Sequence, residues 1–90
     1  MAEIYYRIDV FCEVLDLPRA QLRRYERAGL LAPSGEGVSS AGPCYTEEDL
    51  RRARRIRRMH RDLGLNVAGL QVAVRLLDRV EALQRRIDEG

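Results

Sequence analysis

The stretch that most constrains this chain is residues 17–33, Leu-Pro-Arg-Ala-Gln-Leu-Arg-Arg-Tyr-Glu-Arg-Ala-Gly-Leu-Leu-Ala-Pro. It carries its own start and stop. Pro18 suits a first helical position, because its missing N–H is not needed there and its φ is already helical. Gly29 sits where a helix ends through a left-handed residue, and Pro33 blocks continuation. Between these marks Leu22, Tyr25 and Ala28 recur at a spacing of three and form one inward face. Arg19, Arg23, Arg24 and Arg27 fall on the other faces. A short capped helix with an arginine-rich outer face is what a recognition helix needs, since Arg on a rigid rod meets phosphates. The same pattern also fits a small core helix whose arginines are merely solvated.

Upstream, Glu3 to Ile8 is β-prone, with Ile4, Tyr6 and Ile8 on one side, and predicts a short strand. Asp9 can cap a helix start, and Phe11, Val14 and Leu15 follow at helical spacing. Asp16-Leu17-Pro18 is then a tight connection, and two short helices so joined make a helix-turn-helix. Residues 34–44 hold three Gly, three Ser and one Pro, a loop on composition. Its place, between two helices and before Tyr45, is that of a wing; a flexible linker is the other reading. Tyr45 is positioned to pair back with the N-terminal strand.

Thr46-Glu47-Glu48-Asp49 opens the next helix, with Thr46 as cap and three acids in the first turn, where the helix dipole favours them. Leu50, Ala53, Ile56, Met59 (or His60) and Leu63 mark its buried stripe. The opposite face is Arg51, Arg52, Arg54, Arg55, Arg57, Arg58 and Arg61. Such a run is self-repelling unless something anionic lies nearby, and Arg51, Arg54, Arg55 and Arg58 are the candidate face for an anionic partner. Gly64 ends this helix and Asn66 can cap another. From Val67 the apolar spacing predicts a helix to 87, about 33 Å long. Ala73, Val80 and Ile87 are seven apart, and Leu76–Leu83 repeats that interval, a coiled-coil-like seam. A homodimer is expected through Leu70, Ala73, Leu77, Val80, Leu83 and Ile87.

Ninety residues make one domain with a modest core, read as a winged helix-turn-helix unit over 1–64 and a C-terminal helix, a dimerisation or partner seam, over 65–90. All sixteen cations besides the single His60 are Arg. The net charge of +2 hides an uneven distribution: −4 over 1–50, +6 over 51–62 and zero over 63–90. No apolar run approaches the roughly 20 residues of a membrane span, and the basic-then-apolar order of a signal peptide is missing. Cys12 and Cys44 lack metal spacing and read as free thiols in a reducing cytoplasm. With one His, no Ser-His-acid pattern and no Gly-rich phosphate loop, neither enzymatic chemistry nor a cofactor or metal is expected.

Two motifs carry a resemblance. Leu22-Arg23-Arg24-Tyr25-Glu26-Arg27-Ala28-Gly29-Leu30-Leu31 and Tyr45-Thr46-Glu47-Glu48-Asp49-Leu50 resemble the signatures of MerR-type winged helix-turn-helix regulators. The resemblance implies a mainly α fold with a short β-hairpin and a long C-terminal helix. It also implies phosphate contacts by the residues matching Arg23 and Tyr25, so Arg19, Arg23, Arg24, Tyr25 and Arg27 are the candidate DNA-binding set. The family's wing Arg is replaced here by Cys44, and residues 34–44 contain no Arg or Lys, only Glu36.

Four further segments, Phe11-Cys12, Gly29 to Pro33, Leu63 to Leu70 and Leu76 to Leu83, resemble CbpM, the chaperone-modulator branch of the same superfamily. The assembly factor DafA is a related functional type, and the repressor HspR shares the Asn66-Val67-Ala68-Gly69 turn. This closer resemblance implies a non-enzymatic modulator of the DnaK system that binds a J-domain co-chaperone of the DnaJ/CbpA type. Because J-domains present a basic helix, the candidate contacts are the acids Glu13, Asp16, Glu26, Glu47, Glu48 and Asp49. The alternative is a MerR/HspR-like transcriptional regulator that binds DNA.

Overall fold

The structure, a computed structural model, describes residues 4–35 and 42–90. It is mainly helical: β1 (Tyr5–Arg7), α1 (Ile8–Leu15), α2 (Arg19–Arg27), β2 (Cys44–Thr46), α3 (Glu47–Leu63) and α4 (Val67–Glu89). β1 and β2 pair antiparallel, with Tyr6 opposite Tyr45. Tyr45 thus returns to the N-terminal strand as its position predicts.

The strand is shorter than its β-prone sequence, because Ile8 already opens α1. Arg7 occupies the N-cap with extended backbone and no side-chain hydrogen bond. Asp9 therefore does not cap; it lies inside the first turn, where its charge still favours the helix dipole. Asp16 closes α1 in the left-handed region, φ 51°, which Asp tolerates better than most residues. Two residues later Pro18 serves as N-cap of α2, one position earlier than expected, and its carbonyl accepts from the N–H groups of Gln21 and Leu22 at 3.0 and 3.1 Å.

α2 ends as its sequence predicts. Gly29, at φ 75°, donates to the Glu26 carbonyl, and Leu30 donates to that of Tyr25, both at 3.0 Å. This is a Schellman closure, with Leu30 and Tyr25 both drawn into the core.

One hydrophobic core joins all four helices. It is built from Phe11 and Leu15 of α1, Leu22 and Tyr25 of α2, Leu50, Ala53 and Ile56 of α3, and Leu70 and Val74 of α4, with Leu30, Leu31 and Tyr45 between them. Phe11 stacks on Tyr45 with ring centroids 4.1 Å apart. Two residues expected inside are not. Val14 is 46% exposed because α1 turns Phe11, Leu15 and the half-buried Cys12 inward instead. Leu63 is 64% exposed because it is the last residue before the Gly64 reversal, beyond the end of the core.

The start of α3 is a complete capping box. The Thr46 hydroxyl accepts from the Asp49 N–H at 3.2 Å, and the Asp49 carboxylate accepts from the Thr46 N–H at 2.9 Å. The same carboxylate oxygen accepts from the Ser34 N–H and hydroxyl at 3.0 and 2.7 Å, so the chain leaving α2 is tied to the cap of α3. Beside it Gly35 donates to the Cys44 carbonyl at 2.9 Å. A Cβ at Gly35 would lie 2.8 Å from that oxygen, so only glycine fits so close an approach. The wing expected over 34–44 lies mostly outside the described residues. Asn66 caps α4 by accepting from the Gly69 N–H at 2.8 Å. Among the described residues no helix is long and apolar enough to cross a membrane.

Candidate functional site

α2 is held by its inner face. Leu22 and Tyr25 are buried, and the Tyr25 hydroxyl lies 2.8 Å from His60 Nδ1 on α3. This fixes the roll of the helix and turns Arg23, Arg24 and Arg27 to solvent. Arg19, one turn earlier, lines a groove with Arg7, Asp9, Gly42, Pro43 and Cys44, at the base of the loop that enters β2. None of these four arginines joins an ion pair among the described residues. α2 is therefore a rigid rod bearing four uncompensated guanidinium groups, each able to meet a phosphate in bidentate fashion. Tyr25, the fifth member of the expected DNA-contact set, is placed differently: it is 1% exposed and its hydroxyl is engaged by His60. It positions the helix from within rather than offering itself on the outer face.

The six acids expected to meet a J-domain differ in how free they are. Asp49 is buried and serves as the cap and loop tie described above. Glu47 accepts from the Tyr6 hydroxyl at 2.6 Å, and this bond, chiefly, raises the Tyr6 pKa. Glu26 accepts from the Tyr45 hydroxyl at 3.2 Å; burial first, then the Glu26 charge, pushes the Tyr45 pKa well up. Glu48 pairs with Arg51 at 2.7 Å, one turn along α3, and that hydrogen bond lowers its pKa. Only Glu13 and Asp16, at the end of α1, are exposed without a side-chain partner among the described residues. Acids cluster at helix starts and next to tyrosines because local polar groups need them, and that need engages Glu26, Glu47, Glu48 and Asp49 within the chain.

The candidate anionic-partner face of α3 is likewise divided. Arg51 is paired with Glu48, and Arg55 with Glu81 on α4. Arg54 and Arg58 remain without an ion pair among the described residues. Arg52 was not expected to be structural, yet it bonds Asp78 through both guanidinium nitrogens at 3.1 Å and donates to the Leu30 carbonyl at 2.9 Å. Asp78 has its pKa lowered by this hydrogen bond with Arg52. Gln71 adds a second tie, donating to the Ala28 carbonyl at 2.8 Å. The end of α2, α3 and α4 are thus stapled together, which sets the direction in which α4 leaves the domain.

On α4 the expected seam splits in two. Leu70 is fully buried in the core of its own chain, so it is unavailable to a second copy. Ala73 and Leu77 are half-buried, while Val80, Leu83 and Ile87 are exposed, Ile87 by 76%. Val72 and Leu76, outside the expected seam, are exposed as well. At about 100° per residue, Val72, Leu76, Val80, Leu83 and Ile87 fall within a sector roughly 80° wide, on the far side from Leu70 and Val74. The first turns of α4 are used by the core, so the free apolar stripe is rotated relative to a seam read from heptads alone. The spacing of Val72, Leu76 and Val80 at intervals of four was the signal for it.

The chain is similar to known proteins. The family model for MerR HTH family regulatory proteins matches residues 6–89. A protein of Streptomyces coelicolor described as heat shock protein HspR is 31% identical over 84 residues, which is 93% of this chain and 54% of that protein. The chain therefore spans about half the length of that relative. The crystal structure of a transcriptional regulator of the MerR family from Bacillus cereus superposes with a TM-score of 0.65 at 25% identity, covering 93% of this chain and 66% of the other. The family model covers nearly the whole chain, and this chain belongs to the MerR helix-turn-helix family of regulatory proteins.

Proposed function

We propose that this chain is a DNA-binding transcriptional regulator that works as a homodimer. The observation that carries the reading is the outer face of α2, where Arg19, Arg23, Arg24 and Arg27 are all exposed and uncompensated among the described residues. Phosphate neutralisation supplies most nucleic-acid affinity, and uncommitted arginines on a rigid helix are suited to it. The apolar stripe of α4 supports a second copy, which brings two recognition helices to successive major grooves about 34 Å apart. The heat-shock description of the HspR relative supports placing the regulated genes in a stress response.

The test is fluorescence anisotropy of the full chain with a labelled duplex from upstream of its own gene, across a salt series. Binding that weakens steeply with salt and is outcompeted poorly by unrelated duplex is expected. No binding at low salt overturns the reading. Sedimentation of a Leu76→Glu, Leu83→Glu, Ile87→Glu variant examines the dimer: a shift to monomer mass is expected, and an unchanged mass removes α4 as the seam.

A second reading, a non-enzymatic modulator that docks a DnaJ/CbpA-like J-domain and thereby regulates DnaK, has one observation in its favour. Residues 34–44 include no Arg or Lys and one acid, Glu36, whereas a wing lying on phosphate gains from basic residues. Of the six candidate acids, Glu13 and Asp16 are exposed and have no side-chain partner among the described residues. Gel filtration with the J-domain protein of the same genome tests it; separate elution of the two proteins counts against it.

A further inference from the structure

The seven arginines of α3 do not form one surface. Arg51, Arg52 and Arg55 turn toward Glu48 and the α4 carboxylates Asp78 and Glu81. The other four, Arg54, Arg57, Arg58 and Arg61, lie on the flank facing α1, where they line one groove with Val14 and Leu15. Among the described residues no carboxylate lines that groove. Arg57 donates to the Leu15 carbonyl, the orphan acceptor at the end of α1; Arg61 has only an exposed contact to its neighbour Asp62 at 3.6 Å. Arg57 and Arg61 also border an adjoining groove with Pro18, Gln21 and His60, and there the Gln21 amide nitrogen is buried without a hydrogen-bond partner. Val14 of the first groove is 46% exposed, and Val10, one turn earlier on the same face of α1, is 43% exposed.

We infer that this α1–α3 flank, formed by Val10, Val14, Arg54, Arg57, Arg58 and Arg61, is a docking site for an acidic amphipathic helix of another protein. Charge selects the occupant. Four guanidinium groups within two turns repel one another unless carboxylates intervene, and Arg–carboxylate pairs are bidentate and directional. The two exposed valines select a peptide over a phosphate backbone, because they need an apolar side chain to cover them, and a helix with acids on one face and apolar residues beside them supplies both. The position also separates this flank from the α2 surface. Arg19 of α2 lines its groove with Ile8 and Asp9, whereas Val14 lies about 140° around α1 from Asp9. A duplex along α2 and a peptide on this flank thus use different faces.

The experiment measures anisotropy with the full chain and three labelled probes: a helical peptide of Glu and Leu at amphipathic spacing, polyglutamate of equal charge, and the upstream duplex. The amphipathic peptide is expected to bind about tenfold tighter than polyglutamate, a difference of roughly 1.4 kcal/mol. Arg54→Glu with Arg58→Glu is expected to weaken peptide binding at least about tenfold and to leave duplex binding within about twofold. Val10→Ser with Val14→Ser should abolish the preference for the amphipathic peptide while leaving polyglutamate unaffected. Circular dichroism confirms that each variant is folded. Equal binding of both acidic probes, or no binding of the amphipathic peptide, overturns the inference. Loss of duplex binding in the Arg54→Glu, Arg58→Glu variant assigns the flank to phosphate and overturns it also. A fall to monomer mass in that variant assigns the flank to a second copy, with the same consequence. Because the peptide arm needs no DNA, its result stands apart from any failure of the DNA-binding reading.

Discussion

α2 and α3 are both amphipathic, both arginine-rich and both closed by a glycine in the left-handed region. In sequence they look like two versions of one element. In the folded chain they are used differently. α2 keeps every one of its arginines free of ion pairs among the described residues, while α3 pairs Arg51, Arg52, Arg55 and, at 3.6 Å, Arg61 with carboxylates and commits Arg57 to a carbonyl. The difference comes from what packs alongside. α2 is nine residues long, and its neighbours hold it through Leu22, Tyr25, the Glu26 carboxylate and its capped end rather than through its arginines. α3 lies between α1 and α4, so its polar flanks meet other helices. An arginine run therefore signals availability only where no second element lies against it.

The contrast yields measurements in which the same substitution type has different consequences on the two helices. Arg23→Glu with Arg27→Glu should reduce duplex affinity by about a hundredfold or more at moderate salt and flatten its salt dependence, without lowering the melting temperature. If the melting temperature falls instead, the α2 arginines are structural and the contrast disappears. Asp49→Ala should destabilise by about 2 kcal/mol in urea unfolding, because it opens the capping box and frees Ser34. Unchanged stability would mean that the loop tie carries no weight.

Arg52→Ala should cost about 1 kcal/mol, mostly the carbonyl bond to Leu30 plus a solvent-screened pair with Asp78, and should leave duplex binding nearly unchanged. The pH dependence has a definite sign. Asp78 is held below its ordinary pKa by Arg52, so the pair's contribution is fully present above the unfolded carboxylate pKa, about 3.9. It is lost as pH falls through the lower folded value. The stability gap between wild type and Arg52→Ala should therefore narrow in acid; a gap constant from neutral pH to pH 3 speaks against the pair. The smallest effect is expected for Arg51→Ala. Its bond to Glu48 is an exposed pair within one helix, so the unfolding midpoint should stay within experimental scatter.

Much of the fold was readable in the residues. Gly29, Gly64, Thr46 and Asn66 each act at the terminus their chemistry predicts, because caps and left-handed closures depend on only a few neighbouring residues. The outer arginines of α2 were readable for the same reason: once Leu22 and Tyr25 face inward, Arg23, Arg24 and Arg27 have nowhere else to go. Tyr25 was less legible, since its apolar ring and its hydroxyl point to different roles. His60, thirty-five residues away, decides between them. The acids were legible only as helix-start chemistry. That Asp49 is buried and Glu26 and Glu47 bond tyrosines depends on partners brought in from other elements.

Local pattern alone was enough to specify where the helices start and stop, which face of each is apolar, and that one helix bears a dense arginine run. These are properties of short windows, set by backbone sterics, capping and side-chain periodicity. The assignment of each charge was settled by packing. Arg52 finds Asp78 and Arg55 finds Glu81 only after Gly64 reverses the chain and lays α4 on α3. The same packing draws Leu70 inward and leaves Leu76, Leu83 and Ile87 outside. Contacts between residues far apart along the chain depend on how whole helices are oriented, and no short window contains that orientation.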